Sequence, residues 1–420
     1  MNGYGTDGFS RRKMLLTGGA LGAFGALGAA SPAGARALWT WAPSGSVAGK
    51  GAGVDPEWVW DEDADPVLAA VLDRGDVPKV NELLKQWTRN DQPLPDGLPR
   101  DLRELMEHAR RLPTWADKAK LDRGAQFSKT KGLYVGTLYG LGSGLMSTAI
   151  PREARAVYYS KGGADMKDRI AKTARLGYDI GDLDAYRPQG SMIVTAVKTR
   201  LVHAAVRHLL PQSPAWSQTS GGQKIPISQA DILVTWHSLA TFVMRKLKEW
   251  GVVVNSADSA AYLHVWQVSA AMLGVKDEYI PASWEAANAQ SKQVLDPILA
   301  STPEGEALTE VLLDIVAELD GGLTSPLVSA FSRYTLGDRV GDMIGLSKEP
   351  ILKPLVATAW PLLVAFREKL IPVPAVPEVA WTLEEGLRKF VLAFLSEGRP
   401  IAIDIPDMNR PSRGAPDERR

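Results

Sequence analysis

Five histidines and no cysteine set the terms for any metal chemistry in this 420-residue chain. Without Cys there is no disulfide, no thiolate nucleophile, no Cys-ligated zinc and no iron–sulfur cluster. Covalent haem attachment through C-x-x-C-H is excluded as well. A tightly bound transition metal must then draw on His108, His203, His208, His237 or His264. These form no H-E-x-x-H and no i, i+4 pair, and neither a G-x-S-x-G elbow nor a phosphate loop is present. What remains is a site with one His ligand, and haem iron is the commonest centre that needs only one.

The surroundings of each His narrow the choice. His108 lies among Glu104, Glu107 and Arg111, off the apolar stripe of its helix, and reads as solvated. His237, beside Trp236, and His264 each sit in an apolar helical run. A lone His of that kind is usually a hydrogen-bonded core residue. His203 and His208 share one helical run, Met192 to Leu210, ended by Pro211. Five residues apart, they point about 140° away from each other, so they cannot hold one ion together. Spacing does not choose between them. His208 shares a face with Leu201, Ala204 and Ala205, and periodicity mildly favours it as the buried one.

Two further groups have the types for chemistry. Arg169, Lys172 and Thr173 fall at i, i+3, i+4 on a helix expected from Asp165 to a stop at Gly177, and share one face. That face is either a solvated basic surface or a cationic wall above a cofactor, suited to negative charge. Glu153 follows Pro151 in a first helical turn, favourable near the N-terminal dipole. Facing a dry cavity, its pKa would rise and it would serve as a base.

The elements that position these residues are helical. Leu98, Leu102, Leu105, Ala109 and Leu112 form one stripe. Ser228 to Trp250 has an N-cap at Ser228, Asp231 at the capping-box offset and a stop at Gly251. Ser256 to Leu273 is closed by Gly274. Val252–Val254 and Ile401–Ile403 are too short to build a sheet, so the fold class is all-α. Pro211 to Pro226 reads as a loop, Thr302-Pro303 and Thr324-Ser325-Pro326 as further breaks, and a helix is expected over 383–395. Gly132, Gly136, Gly140 and Gly144 make a flat stripe in an uncharged run. Tight packing in a soluble core is the simplest use of it. Packing against a cofactor or apolar substrate is the other, and five glycines make the run a poor membrane span.

The first 37 residues read as an address. Ser10-Arg11-Arg12-Lys13-Met14-Leu15-Leu16 is a twin-arginine motif, an uncharged stretch follows, and Ala35-Arg36-Ala37 is a small-x-small cleavage site. Twin-arginine export carries folded proteins, often around a cofactor, so the export machinery is an expected partner and the location extracellular. A flexible lead-in is expected over 38–57, a single helical domain over 58–405 and a disordered tail over 406–420. Hydrophobic residues make up 45% and charged residues 23%, which is enough for a large core. Lys plus Arg equals Asp plus Glu at 48 each, so there is no basic stripe for nucleic acid. The thirteen Trp are read mainly as core.

The twin-arginine signal, the lack of Cys, Glu153, Arg169-x-x-Lys172-Thr173 and Thr199-Arg200-Leu201-Val202-His203-Ala204-Ala205-Val206-Arg207-His208 together resemble the latex-clearing proteins. The similarity runs from about Trp58 to Ile403, with matching spacing through His203, His208, His237 and His264. The resemblance implies a globin-like helical core with additional helices at both ends. It also implies a non-covalent haem b with His203 as proximal ligand. Lys172 would lie on the distal side, able to ligate iron when the pocket is closed. Arg169 and Thr173 would shape the distal wall, and Glu153 would be the distal base. The substrate implied is poly(cis-1,4-isoprene), cleaved by dioxygen to oligomers with aldehyde and ketone ends. The protein is expected as a monomer without a stable membrane span.

Three other readings stay open on the residues alone. One is a related haem oxygenase acting on a smaller terpenoid, which export argues against, since a polymer particle cannot enter a cell. Another is a non-catalytic exported carrier of haem or an apolar ligand. The third is a structural helical protein.

Overall fold

The computed structural model describes residues 39–159, 166–220, 222, 225–318, 321–370, 386, 389–390, 393–398 and 401–407. Among them the chain is all-α: there is no strand, and one isolated bridge pairs Ser46 with Pro281. The export signal, most of the tail and most of the helix expected over 383–395 lie outside the described residues. No described helix is long and apolar enough to cross a membrane.

Apolar periodicity and capping account for the main elements. Ser228 accepts from the Asp231 amide, and the Asp231 carboxylate accepts from the Ser228 amide at 2.9 Å, so two otherwise orphaned donors are satisfied at the start of Gln229–Trp236. The helix loosens into a π turn, His237–Thr241, resumes as Phe242–Glu249, and ends before Gly251 in left-handed conformation, φ 73°. Ser256–Met272 is capped by Asn255, whose side chain accepts from the Asp258 amide, and is buried on nearly every side. It lies against Lys118–Thr130. Gly124 permits that approach: a Cβ there would stand 2.4 Å from Val265 Cγ2 and 2.9 Å from the Ala261 carbonyl oxygen.

The helix Met192–Leu209 packs on Ala64–Asp73 and on Met166–Ile180. It buries Val194, Ala196, Val197, Leu201, Ala204 and Ala205. A side chain such as Leu201 contributes about 1.5–3 kcal/mol by leaving water. One apolar core runs from Trp41 to Ile405, with Trp87, Trp236, Trp250 and Trp266 inside it.

Several local expectations are revised. Gly177 does not stop its helix, which continues to Ile180. Residues 211–226 hold a short helix, Pro214–Thr219, entered through a proline that fits a first turn. Thr302 is a helix cap, its hydroxyl accepting from the Gly305 amide at 3.1 Å. The described part of the lead-in expected to be flexible, 39–57, is tied to the body: Trp41 Nε1 donates to the Glu278 carbonyl at 2.9 Å, and the Gly53 amide donates to the Glu278 carboxylate.

The glycine stripe does not survive as one straight face. The helix Gly132–Thr137 passes into a π segment, Leu138–Gly144, which changes the register. Ser143 donates from Oγ to the Ser238 carbonyl at 2.5 Å, joining this π segment to the one after Trp236. Gly142, outside the stripe, is the closely packed glycine, with a built Cβ 2.7 Å from Phe242. Beside Gly136 and Gly140 a Cβ would meet nothing within 4 Å. The core-packing reading therefore fails at those two positions.

Candidate functional site

The pair His203 and His208 is separated by the fold. His208 faces outward and lies 3.3 Å from Asp73. His203 faces inward, and its Nδ1 is buried without a hydrogen-bond partner. Burial, with the like charges of Arg207 and Arg169 nearby, drives its pKa down to about 3, so the imidazole is neutral. A neutral imidazole with a free lone pair is the form that ligates a metal. Periodicity mildly favours His208 as the buried one, but its side chain stays 26% exposed, while buried Arg200 and Arg207 share the face of His203.

Those arginines are Arg200 and Arg207, three before and four after His203. Arg200 donates to Asp61 through Nε and Nη2 at 2.6 and 2.8 Å. Arg207 donates to Asp65 at 2.7 Å and to the Ile227 carbonyl at 3.0 Å. Asp61 would be raised by burial, but hydrogen bonds and charge from Arg200 hold it below the usual carboxylate value. The network fixes the rotation of the His203 helix about its axis. The reading of the sequence missed it, although the i−3, i+4 spacing around His203 was a visible sign.

The Arg169 helix is clamped to the His203 helix by a second network. Asp179 accepts from Arg175 Nε at 2.8 Å and from Thr195 Oγ1 at 2.6 Å. Arg169 lies within electrostatic reach of both His203 and Glu153. Burial lowers its own pKa from the ordinary arginine value, and Glu153 opposes that. Lys172 is half-buried on the same helix and Thr173 is exposed.

Glu153 stands in the first turn of Pro151–Tyr159. Its Oε1 accepts a short hydrogen bond from the Thr235 hydroxyl. Its neighbour Arg152 lies 3.7 Å from Asp231 and also binds Glu57, which locks the two helices together. Burial raises the Glu153 pKa to about 7; the Thr235 hydrogen bond lowers it, the charge of Asp231 raises it and that of Arg169 lowers it. Thr235 was not foreseen, since nothing in sequence links positions 82 residues apart.

Two of the other histidines are held by hydrogen bonds inside the body. His237 is fully buried between Thr241 (2.8 Å) and Gln290 (2.9 Å). His264 Nε2 accepts from the Asp117 amide at 2.8 Å. His108 is exposed, as expected. Among the described residues no group of three or more His, Asp or Glu is placed to hold a metal by itself. A surface cleft of about 390 Å³ between Trp58, Trp60 and Tyr279 contains none of Glu153, Arg169, Lys172, Thr173 or His203.

These residues fit a non-covalent porphyrin iron. They supply one neutral, unpaired buried imidazole and a guanidinium and carboxyl within electrostatic reach of one another. Space is open beside Gly136 and Gly140, on the segment whose Tyr139 ring lies against Gly177 of the Arg169 helix.

Comparison with known proteins gives consistent results. A family model described as "ER-bound oxygenase mpaB/B'/Rubber oxygenase, catalytic domain" matches residues 132–366. A protein of Streptomyces sp. (strain K30) named "Rubber oxygenase" is 84% identical over 406 residues, which is 97% of this chain and 100% of that protein. A solved structure titled "Structure of Latex Clearing Protein LCP in the closed state" is 85% identical with a TM-score of 0.81, covering 88% of this chain and 100% of that one.

Proposed function

The chain belongs to the rubber oxygenase family, and on that premise we propose that it is an exported haem-b dioxygenase cleaving the double bonds of poly(cis-1,4-isoprene). The products would be oligomers with aldehyde and ketone ends. The observation that carries this reading is the neutral, inward-facing imidazole of His203, its Nδ1 unpaired, within reach of the Arg169 charge.

His203 would hold the haem, and Arg169 would help balance its carboxylates. The haem would supply the centre at which dioxygen is activated. The core would be globin-like, with additional helices at both ends.

The chain's own residues have defined tasks. Glu153, its pKa raised to about 7 by burial, would take a proton at its carboxylate from the allylic position of the polymer. Thr235, donating to Oε1, holds that carboxylate in one orientation. Arg169 stabilises the ionised form through its charge. Lys172 and Thr173 would border the entry, with Lys172 available to ligate the metal in a closed arrangement. The substrate has no charge and no hydrogen-bond donor, so its affinity comes from buried apolar area, at roughly 25 cal/mol per Å². The open space beside Gly136 and Gly140 suits that requirement.

The test uses the purified chain produced with adequate haem. We expect a haem absorption band, dioxygen uptake on adding polyisoprene, and carbonyl-ended oligomers. Haem binding without oxygen uptake on polymer or short isoprenoid would leave a carrier instead. Uptake with the short isoprenoid alone would leave a terpenoid oxygenase.

A further inference from the structure

The helix Leu352–Leu370 has two faces of the same chemistry, and among the described residues only one is packed. Val356, Trp360 and Val364 form the inner stripe. Trp360 meets Phe331 at 4.7 Å and Trp250 at 4.9 Å between ring centres. The outer face carries Leu355, Leu362, Leu363 and Phe366, with Leu362 67% and Phe366 63% exposed. Ile351, 81% exposed, precedes the helix.

No charged residue occurs from Pro354 to Phe366, a length of about 20 Å of helix. Of the flanking charges, Lys353 and Glu368 are in ion pairs and Arg367 lies over the Tyr134 ring, while Lys369 is exposed. Lys353 binds Asp338, and Glu368 binds Lys131 at 2.6 Å with both side chains nearly buried. Lys353 meeting Asp338 and Trp360 meeting Phe331 make this helix antiparallel to Ser325–Leu336. The level of Phe366 is therefore that of the first turn of the neighbour, where Leu327 is also exposed.

An outward apolar face of this size is not neutral, because large exposed patches mark binding surfaces. We propose that it is the surface by which the enzyme adheres to solid hydrocarbon polymer, separate from the cleavage site; this rests on the polyisoprene reading above. The charge-free stripe matches an occupant that has neither charge nor polar groups. An insoluble substrate cannot diffuse to the enzyme, so the enzyme must partition onto it. The face is also tied to the cleavage machinery. Lys131, paired with Glu368, immediately precedes the helix Gly132–Thr137, and Tyr134 of that helix packs edge-on against Trp360 at 6.3 Å. Adhesion through this face would hold the glycine-bearing segment near the polymer.

The test measures binding of the haem-loaded, full-length mature enzyme to polyisoprene particles by sedimentation under argon, where no turnover occurs. Leu362→Ser/Phe366→Ser should lower the bound-to-free ratio by about tenfold or more, as expected for two large apolar contacts. Oxygen uptake on a detergent-dispersed short isoprenoid should stay at the parent level, and Val54→Ser, an exposed apolar site elsewhere, should bind like the parent. If the double variant loses its haem band, each single substitution should still give an intermediate loss. Unchanged particle binding overturns the proposal. So does a parent dimer that the variant converts to monomer, which would make the face a self-association surface, or equal binding to phosphatidylcholine vesicles. Failure of the function itself reads differently: the parent would take up no oxygen with polyisoprene, whether or not it does so with the short isoprenoid.

Discussion

The hydroxyl of Thr235 donates a hydrogen bond to Oε1 of Glu153, linking the helix Gln229–Trp236, which the Ser228–Asp231 box starts, to the first turn of Pro151–Tyr159. It favours the ionised carboxylate against the burial that raises its pKa. Thr235→Val should therefore move the Glu153 pKa upward from about 7. Loss of one charge-assisted hydrogen bond is worth about one pH unit. The base form of the parent is lost as pH falls through about 7, so the acid limb of the pH–rate profile should shift to higher pH in the variant. An unshifted limb would detach this bond from the reaction.

Glu153→Gln should retain haem and lower the cleavage rate by about a hundredfold or more, the usual scale of general-base loss. It should also change stability with a definite sign. A carboxyl whose pKa rises from 4.5 to about 7 on folding contributes stability that is complete below pH 4.5 and lost as pH rises through about 7. The variant should thus gain relative to the parent above pH 7 in urea titrations, and lose that gain near pH 4.5. A gain that grows toward low pH would contradict the burial of this carboxyl.

His203→Ala should lose haem, whereas His208→Ala should keep it. The His208–Asp73 contact is at the surface, so its removal should cost less than about 1 kcal/mol. The haem-to-protein absorbance ratio of the two purified variants decides the assignment, and equal ratios would refute it.

Much of this architecture was legible in the chain, and the reasons are local. The Ser228–Asp231 box, the Gly251 stop and the Ser256-to-Leu273 helix closed by Gly274 depend on neighbours within four residues. The all-α class follows from apolar spacing sustained over such elements. What escaped depends on distant partners. Spacing alone could not separate His203 from His208, because the helix rotation depends on Asp61 and Asp65 drawing Arg200 and Arg207 inward. Thr235 gained meaning only beside Glu153. The stripe from Gly132 to Gly144 misled because a π turn resets the register, which no residue type announces.

Removing one partner of the Arg200–Asp61 pair should be costly. The pair is buried and bidentate, so Asp61→Ala leaves a guanidinium without its main counter-charge, at about 3–5 kcal/mol. Asp61 has a lowered pKa, so its contribution is present above the ordinary value of 3.8 and lost as pH falls through the still lower folded value. The parent should lose its advantage over the variant only in that acid range, which urea midpoints between pH 7 and pH 3 would show. A constant difference across the range would make the loss one of packing alone. Haem retention adds a second readout, since the network sets the rotation of the His203 helix.

Glycine substitutions separate packing from open space. Gly124→Ala would press a methyl into the Ala261 backbone and Val265, which should cost about 1–3 kcal/mol of overpacking with no direct effect on the site. Gly136→Ala and Gly140→Ala meet nothing within 4 Å, and alanine is the better helix former by up to about 1 kcal/mol, so both should match or exceed the parent in thermal midpoint. If the space beside them receives polymer, larger side chains should act differently from the methyl. Gly140→Phe should keep its fold and its haem band while oxygen uptake with polyisoprene falls severalfold. A phenylalanine variant as active as the parent would place the polymer path elsewhere. One that loses haem along with activity would place the cofactor, not the substrate, against this segment.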